Sequence, residues 1–336
     1  MMEHMNILVI GGTGLLGCAA AQLFIERGHH VKTITLPPVP PGAVMPPGLH
    51  IIFGNVLTMD NDALLAHMQG CDCLVFAAGV DERVEFPPPV YEAYQKYNIA
   101  PVERLIPLAK QAGLRKTVVL GSYFTHFVEQ YPALCRHPYI KSRVEQQQRA
   151  LSFADDNMEV AVLQLPYIFG TQPGRKPVWT ILVEQLNNMP GATLYPKGGT
   201  AMLTVRQTAQ VIVGAAEQNH ASRAWPIACY NLNWDAFLNI VHTAMGSPTR
   251  KIIHVPGWVL GLYGRRVRKQ LATRGVEMGI DPTGLGDIMC MHAYIDPKFA
   301  QMLGATEDDL AAAIIESIQL SMQALQGGDF VGMTGG

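Results

Sequence analysis

The stretch that most constrains the fold is ILVIGGTGLLG, residues 7–17. Four aliphatic residues that favour a strand run into Gly11, Gly12, Gly14 and Gly17, and a helical pattern begins at once. The spacing reads either as GxGxxG or as GxxGxxG. Glycine is required there if the chain must turn sharply, let an anion touch the backbone and pack the new helix tightly on the sheet. The free N–H groups of the helix N-terminus then face that anion. The loop therefore asks for a strand before it and a helix after it.

The rest of the first half repeats that alternation. Strands are predicted in NILVIG, HVKTITL, HIIFGNV, CDCLVFAAG and KTVVLGS. Helices are predicted near Leu15–Arg27, Asp62–Met68, Tyr97–Gln111 and Tyr139–Phe153, and EVAVLQLPYIFG follows as a sixth strand stopped by Pro166 and Gly170. Strict alternation implies an α/β chain with a doubly wound parallel sheet. Runs such as ILVI, CLVF and TVVL are continuously apolar, as strands covered on both faces must be. After Gly170 the elements shorten between Pro and Gly, which suggests a dinucleotide-binding domain over 1–170 and a smaller substrate lobe over 171–325. That lobe is expected to interleave with the first domain through ACYNL and a helix near Trp234–Met245, and a flexible tail is expected over 326–336.

Composition narrows the partners. With a net charge of -2 and 15% charged residues there is no basic field for nucleic acid, so a small-molecule substrate is expected. The six cysteines show neither a disulfide framework nor metal spacing, and no metal is expected. No signal peptide and no membrane span are read from the sequence, so the expectation is a cytoplasmic protein without a membrane partner. The basic run YGRRVRKQ (Arg265, Arg266, Arg268, Lys269) reads as a solvated helix face. The acid or arginine that usually follows a glycine loop by about 20 residues, and distinguishes a ribose hydroxyl from a 2′-phosphate, is missing. No acidic residue lies between Glu26 and Asp60, and Thr35 or Leu36 occupies the discriminating place.

Taken in order, the loop, VFAAG, YNIAPVERLI, VVLGS and PYIKSR resemble the extended short-chain dehydrogenase/reductase family of the NAD-dependent epimerase/dehydratase type. The resemblance implies a Rossmann fold and NAD or NADP as cofactor, the preference being open. It implies Tyr139 as acid/base, Ser122 as the hydroxyl that orients a carbonyl, Asn98 as a supporting site residue and Arg143 in the place of the family lysine. For the cofactor it implies Gly11, Gly12, Thr13, Gly14, Leu15, Leu16 and Gly17 in the loop, then Thr35, Asn55, Val56, Ala77, Ala78, Gly79, Pro166 and Ile168 along the cleft. It also implies a homodimer built on the faces around Tyr97–Gln111 and Val144–Leu151.

Helix geometry puts residues 139 and 143 on one face and turns Lys141 away. A fixed charge about 6 Å from the phenol is worth roughly 3 kcal/mol at an effective dielectric near 20, so Arg143 is expected to lower the Tyr139 pKa by about two units. An arginine stays charged and cannot relay a proton. The implied activity is an NAD(P)-dependent oxidoreductase or epimerase that moves a hydride at a secondary alcohol or ketone carbon. The alternative is a dinucleotide-binding sensor without turnover. Apolar groups around PYIFG and Trp179 suit a partly apolar ketone, whereas a sugar nucleotide would want Arg175 or Arg206 beside its diphosphate.

Overall fold

The computed structural model describes residues 4–218 and 221–332. In the first half β1 (Asn6–Ile10) leads through the glycine loop into α1 (Leu15–Glu26). It is followed by β2 (His30–Thr35), β3 (His50–Phe53), α2 (Asn61–Met68) and β4 (Cys73–Phe76). The next helical stretch starts earlier than the sequence suggested. It comprises α3 (Val90–Tyr94), a π-helical turn over Gln95–Ile99 and α4 (Ala100–Gln111). Then come β5 (Lys116–Ser122), the short α5 (Phe124–Phe127) and α6 (Pro138–Ser152).

The predicted sixth strand is two strands. β6 (Glu159–Leu165) stays in the large sheet and β7 (Tyr167–Phe169) leaves it to pair with a strand of the smaller lobe. Pro166 separates them, because it has no N–H to donate to a ladder and restricts the residue before it. The remaining elements are α7 (Thr180–Asn187), β8 (Ala192–Tyr195), β9 (Gly199–Thr204), α8 (Val205–Glu217), β10 (Arg223–Pro226), β11 (Tyr230–Asn233), α9 (Trp234–Ala244), β12 (Lys251–His254), α10 (Gly257–Thr273), α11 (Leu285–Met289), β13 (His292–Ala293), α12 (Lys298–Met302) and α13 (Leu310–Gln326).

The large sheet is parallel throughout, in the order β10-β6-β5-β4-β1-β2-β3. Period-two alternation in β1 sends Ile7 and Val9 to one layer with Ala20 and Phe24 of α1. Leu8 and Ile10 go to the other with Leu64 of α2 and Leu105 of α4. The chain thus covers both faces, and the strand order reverses between β1 and β4, where a doubly wound sheet opens its crevice.

The crossing between lobes differs from the one expected. ACYNL forms β11, which pairs with β9 in the smaller sheet, and α9 packs on α13. The return to the large sheet is made instead by α8, which lies on α1 with Val211 and Ile212 buried, and by β10, which pairs with β6. The tail, expected to be loose, begins with Gln326 still in α13. At Val331 it is tied back: its N–H donates to the Gly174 carbonyl at 2.8 Å and its carbonyl accepts from the Lys176 N–H at 3.0 Å. Residues 333–336 of that tail lie outside the described residues. No helix among the described residues is long and apolar enough to cross a membrane.

Candidate functional site

A cavity of about 1220 Å³ runs from the glycine loop, past the carboxyl ends of β4 and β5, into the smaller lobe. Its first wall follows from the glycines. Gly11 has φ +89°, and the Gly14 N–H donates to its carbonyl at 3.1 Å, closing a tight turn. A Cβ on Gly17 would stand 2.4 Å from that carbonyl, so only glycine lets α1 start this close to the loop. α1 begins at Leu15 with Gly14 as its cap and no side chain over its first N–H groups, which leaves the amides of the first turn free for an anion.

Of the expected cofactor residues, Gly11, Thr13, Gly14, Leu15, Leu16, Gly17, Thr35, Asn55, Val56, Ala77, Ala78, Gly79, Pro166 and Ile168 all line this cavity. Gly12 does not. Its N–H donates to the Thr33 hydroxyl at 2.8 Å, and the Thr33 hydroxyl donates to the Val9 carbonyl at 2.8 Å, so Gly12 pins the loop to the sheet. A Cβ there would lie 2.6 Å from the Thr33 oxygen. At the discriminating position the Thr35 hydroxyl is already bonded to that of Thr13, at 2.6 Å.

Asn98 also departs from expectation. It is fully buried in the π-helical turn, behind the cavity wall, where its Oδ1 accepts from the Val80 N–H at 2.9 Å and its Nδ2 donates to the Val80 carbonyl at 3.0 Å. Both halves of the amide are spent on one backbone unit. Asn98 therefore positions the loop after β4, and a Cβ on Gly79 would meet its oxygen at 2.6 Å.

Tyr139, Ser122 and Arg143 do converge. Tyr139 is 5% exposed on the first turn of α6, Ser122 ends β5, and the Ser122 side chain lies close enough to the phenol to favour its ionised form. The Arg143 guanidinium lies 5.1 Å from the Tyr139 ring centroid, close enough for a cation–π contact. Its Nη1 donates to Gln146 Oε1 at 2.8 Å and reaches the Leu120 carbonyl at 3.4 Å, while Nη2 reaches the Val80 carbonyl at 3.4 Å. Gln146 in turn donates to the Asn98 carbonyl at 2.7 Å. Arg143 Nε is buried with no partner, an unsatisfied donor at the cavity wall. Lys141 faces solvent, 4.5 Å from the Tyr91 ring centroid, as the helical register required.

The expected fall in the Tyr139 pKa is not found. Burial raises it, and that outweighs the pull of Arg143 and Ser122, with Glu82 and Asp81 pushing it further up. A Coulomb estimate for an isolated pair had no place for desolvation, nor for carboxylates arriving on another loop.

Those carboxylates belong to Asp81-Glu82-Arg83, a cavity-lining cluster that the sequence reading passed over. Asp81 Oδ2 pairs with Arg83 Nη2 at 2.5 Å, and the Arg83 guanidinium holds the Asp81 carboxyl below the usual range despite its burial. Burial pushes the Glu82 carboxyl up. The signal was present: three consecutive charges, with four residues between them and a fully apolar strand, in a chain poor in charge. The segment 277–281 was passed over as well. Gly279 accepts from the Tyr139 N–H at 2.9 Å and donates to the Glu82 carbonyl at 3.1 Å, and the Asp281 N–H donates to His137 Nδ1 at 3.1 Å. This segment thus ties the start of α6 to the charged loop. His137 is fully buried as the N-cap of α6, and burial is the main cause that pushes its pKa down to about 4.

The other basic residues fall in three places. Arg175 Nε donates to Gln172 Oε1 at 3.1 Å, and Gln172 Nε2 donates to the Thr13 carbonyl at 3.1 Å, so Arg175 stands at the glycine-loop end of the cavity. Arg206 is bonded to Asp308 at 3.3 Å, away from the cavity and largely exposed. Arg265, Arg266, Arg268 and Lys269 are exposed on α10.

Comparison with known proteins adds three findings. The family described as "NAD dependent epimerase/dehydratase family" matches residues 7–228. No curated protein sequence matches the chain. Solved structures with the same fold include gox2253, at 19% identity and a TM-score of 0.73, covering 98% of this chain and 100% of that one. The UDP-N-acetylglucosamine 4-epimerase of Methanobrevibacter ruminantium M1, in complex with UDP-N-acetylmuramic acid, shares 15% identity at a TM-score of 0.66, over 96% of this chain and 100% of its own. The enzyme WbmH of Bordetella bronchiseptica, in complex with NAD+, shares 14% at 0.66, over 96% of this chain and 99% of its own.

Proposed function

Because this chain belongs to the NAD dependent epimerase/dehydratase family of enzymes, we propose that it transfers a hydride between a nicotinamide dinucleotide and a secondary alcohol or ketone carbon. The observation that carries this reading is the meeting of the Tyr139 hydroxyl, the Ser122 hydroxyl and the Arg143 guanidinium on the wall of one cavity that begins at the glycine loop.

The residues present fit the cofactor. The close approach at Gly11, Gly14 and Gly17 and the uncapped first turn of α1 suit a pyrophosphate, Thr35 and Asn55 line the cavity beside that loop and would border the adenosine, and the unpaired Arg143 Nε is a donor awaiting an acceptor. When bound, the dinucleotide supplies or accepts the hydride at its nicotinamide ring.

The chain's own groups handle the proton. Tyr139 Oη gives its proton to a carbonyl oxygen or takes one from an alcohol, and Ser122 Oγ bonds the same oxygen and fixes its orientation. A phenol kept protonated by burial is ready to donate to a carbonyl oxygen. Arg143 stabilises the phenolate left after the proton has gone, and its bonds to the Leu120 and Val80 carbonyls and to Gln146 hold it in place. It remains charged and relays nothing.

The test is absorbance turnover with a panel of ketones and alcohols. Tyr139→Phe should lose about 10²-fold or more of the rate, and full retention would remove Tyr139 as the acid. The replacement of the family lysine by Arg143 favours a second reading, a sensor that binds the dinucleotide without turnover. Robust turnover on any compound eliminates it.

A further inference from the structure

The substrate end of the cavity differs in chemistry from the cofactor end. Beyond Tyr139 its wall is built by α7, β8, α9, α10 and α11, and the aliphatic and aromatic side chains of Ile181, Leu182, Leu194, Phe237, Leu260 and Ile288 set its character. Among the described residues these five elements contribute no charged side chain to the lining, and the amides they contribute are those of Gln185 and, at the end of α7, Asn188. The four cations that line the cavity are all placed elsewhere. Arg83 is bound to Asp81, Arg143 lies against the Tyr139 ring, and Arg175 and Lys176 belong to the segment next to the glycine loop that Val331 bridges. Arg206 is held by Asp308 off the cavity.

A sugar nucleotide would bring two ionised phosphates and several hydroxyl groups into that space. Buried phosphates require cations and buried hydroxyls require partners, and each group left unmatched weakens binding. An aliphatic chain asks for nothing but contact. The mouth has the same character, since Ile181, Leu194 and Tyr263 line the cavity and are also open to solvent. Resting on the hydride-transfer reading above, we infer that the substrate is an uncharged lipophilic ketone or secondary alcohol, whose apolar body lies between α7 and α10 while its oxygen meets Tyr139 and Ser122.

The experiment uses 2-hexanone, 2-octanone and 2-decanone with reduced dinucleotide, and UDP-glucose as the charged comparator. KM should fall about fourfold for each added methylene, the equivalent of about 0.8 kcal/mol, and Leu182→Asn should flatten that slope. Binding is read separately, by calorimetry of the matching 2-alkanols with dinucleotide-loaded Tyr139→Phe protein. A chain-length slope in affinity without turnover in the unsubstituted protein keeps the substrate class and sinks the hydride-transfer reading. Absence of the slope, or UDP-glucose that binds, turns over or displaces 2-decanol, overturns the inference.

Discussion

His137 makes the start of α6 sensitive to acid. Its ring is fully buried, Nδ1 accepts the Asp281 N–H, and Nε2 has no partner, so the neutral ring carries its proton on Nε2. A second proton would have to sit on Nδ1, facing another donor, in a place shut off from solvent. Burial and the adjacent Arg136 push the pKa down to about 4, against 6.5 in an open chain, although Asp281 and Asp287 pull the other way. A depressed folded-state pKa means that the stability it reports is complete above about pH 6.5 and is lost as pH falls towards 4. Linkage gives a loss of about 2 kcal/mol between pH 8 and pH 5 from this one residue. Urea titrations at the two pH values should show the wild type losing about 2 kcal/mol more than His137→Asn, whose amide oxygen still accepts from Asp281. Equal losses in the two proteins would refute the reasoning. Turnover at pH 5 should follow the same ordering, because the segment that bonds His137 also bonds the Tyr139 N–H.

Three further outcomes rest on the same geometry. Gly279→Ala puts a Cβ 2.7 Å from the Tyr139 Cβ and should cost about 1–3 kcal/mol by overpacking, with activity falling further than stability; thermal unfolding beside turnover separates the two. Glu82→Gln removes a negative charge that holds the Tyr139 pKa up, so the rise of alcohol oxidation with pH should move to lower pH, and an unmoved profile would show that Glu82 does not act on the phenol. Arg143→Lys keeps the charge but loses the fork that reaches Gln146 and the carbonyls of Leu120 and Val80, so kcat should fall several-fold; an unchanged kcat would show that charge alone suffices.

Much of the framework could be read from local pattern. The glycine loop announced itself because its conformation depends on a few consecutive residues, and the partnership of residues 139 and 143 followed from helical periodicity alone. What escaped depends on contacts between distant segments. The π-helical turn rotates Asn98 off the simple helical register and buries it behind Val80. The return of α8 and β10 to the large sheet was hidden because RAWP is too short to carry a strand pattern, and Pro226 speaks against one. The direction of the Tyr139 pKa escaped because burial among several distant segments and the Asp81 and Glu82 carboxylates decide it, and none of these can be read from α6 alone.

The pairing of Val331 with Gly174 and Lys176 bears on kinetics rather than affinity. This pair of main-chain bonds lies on the rim beside Arg175, and Val331 itself lines the cavity. A dinucleotide that left along that side would have to peel the chain end away, at about 1 kcal/mol for each bond broken. Removing the residues after 326 should therefore shorten the residence time of bound dinucleotide and leave the hydride step itself untouched.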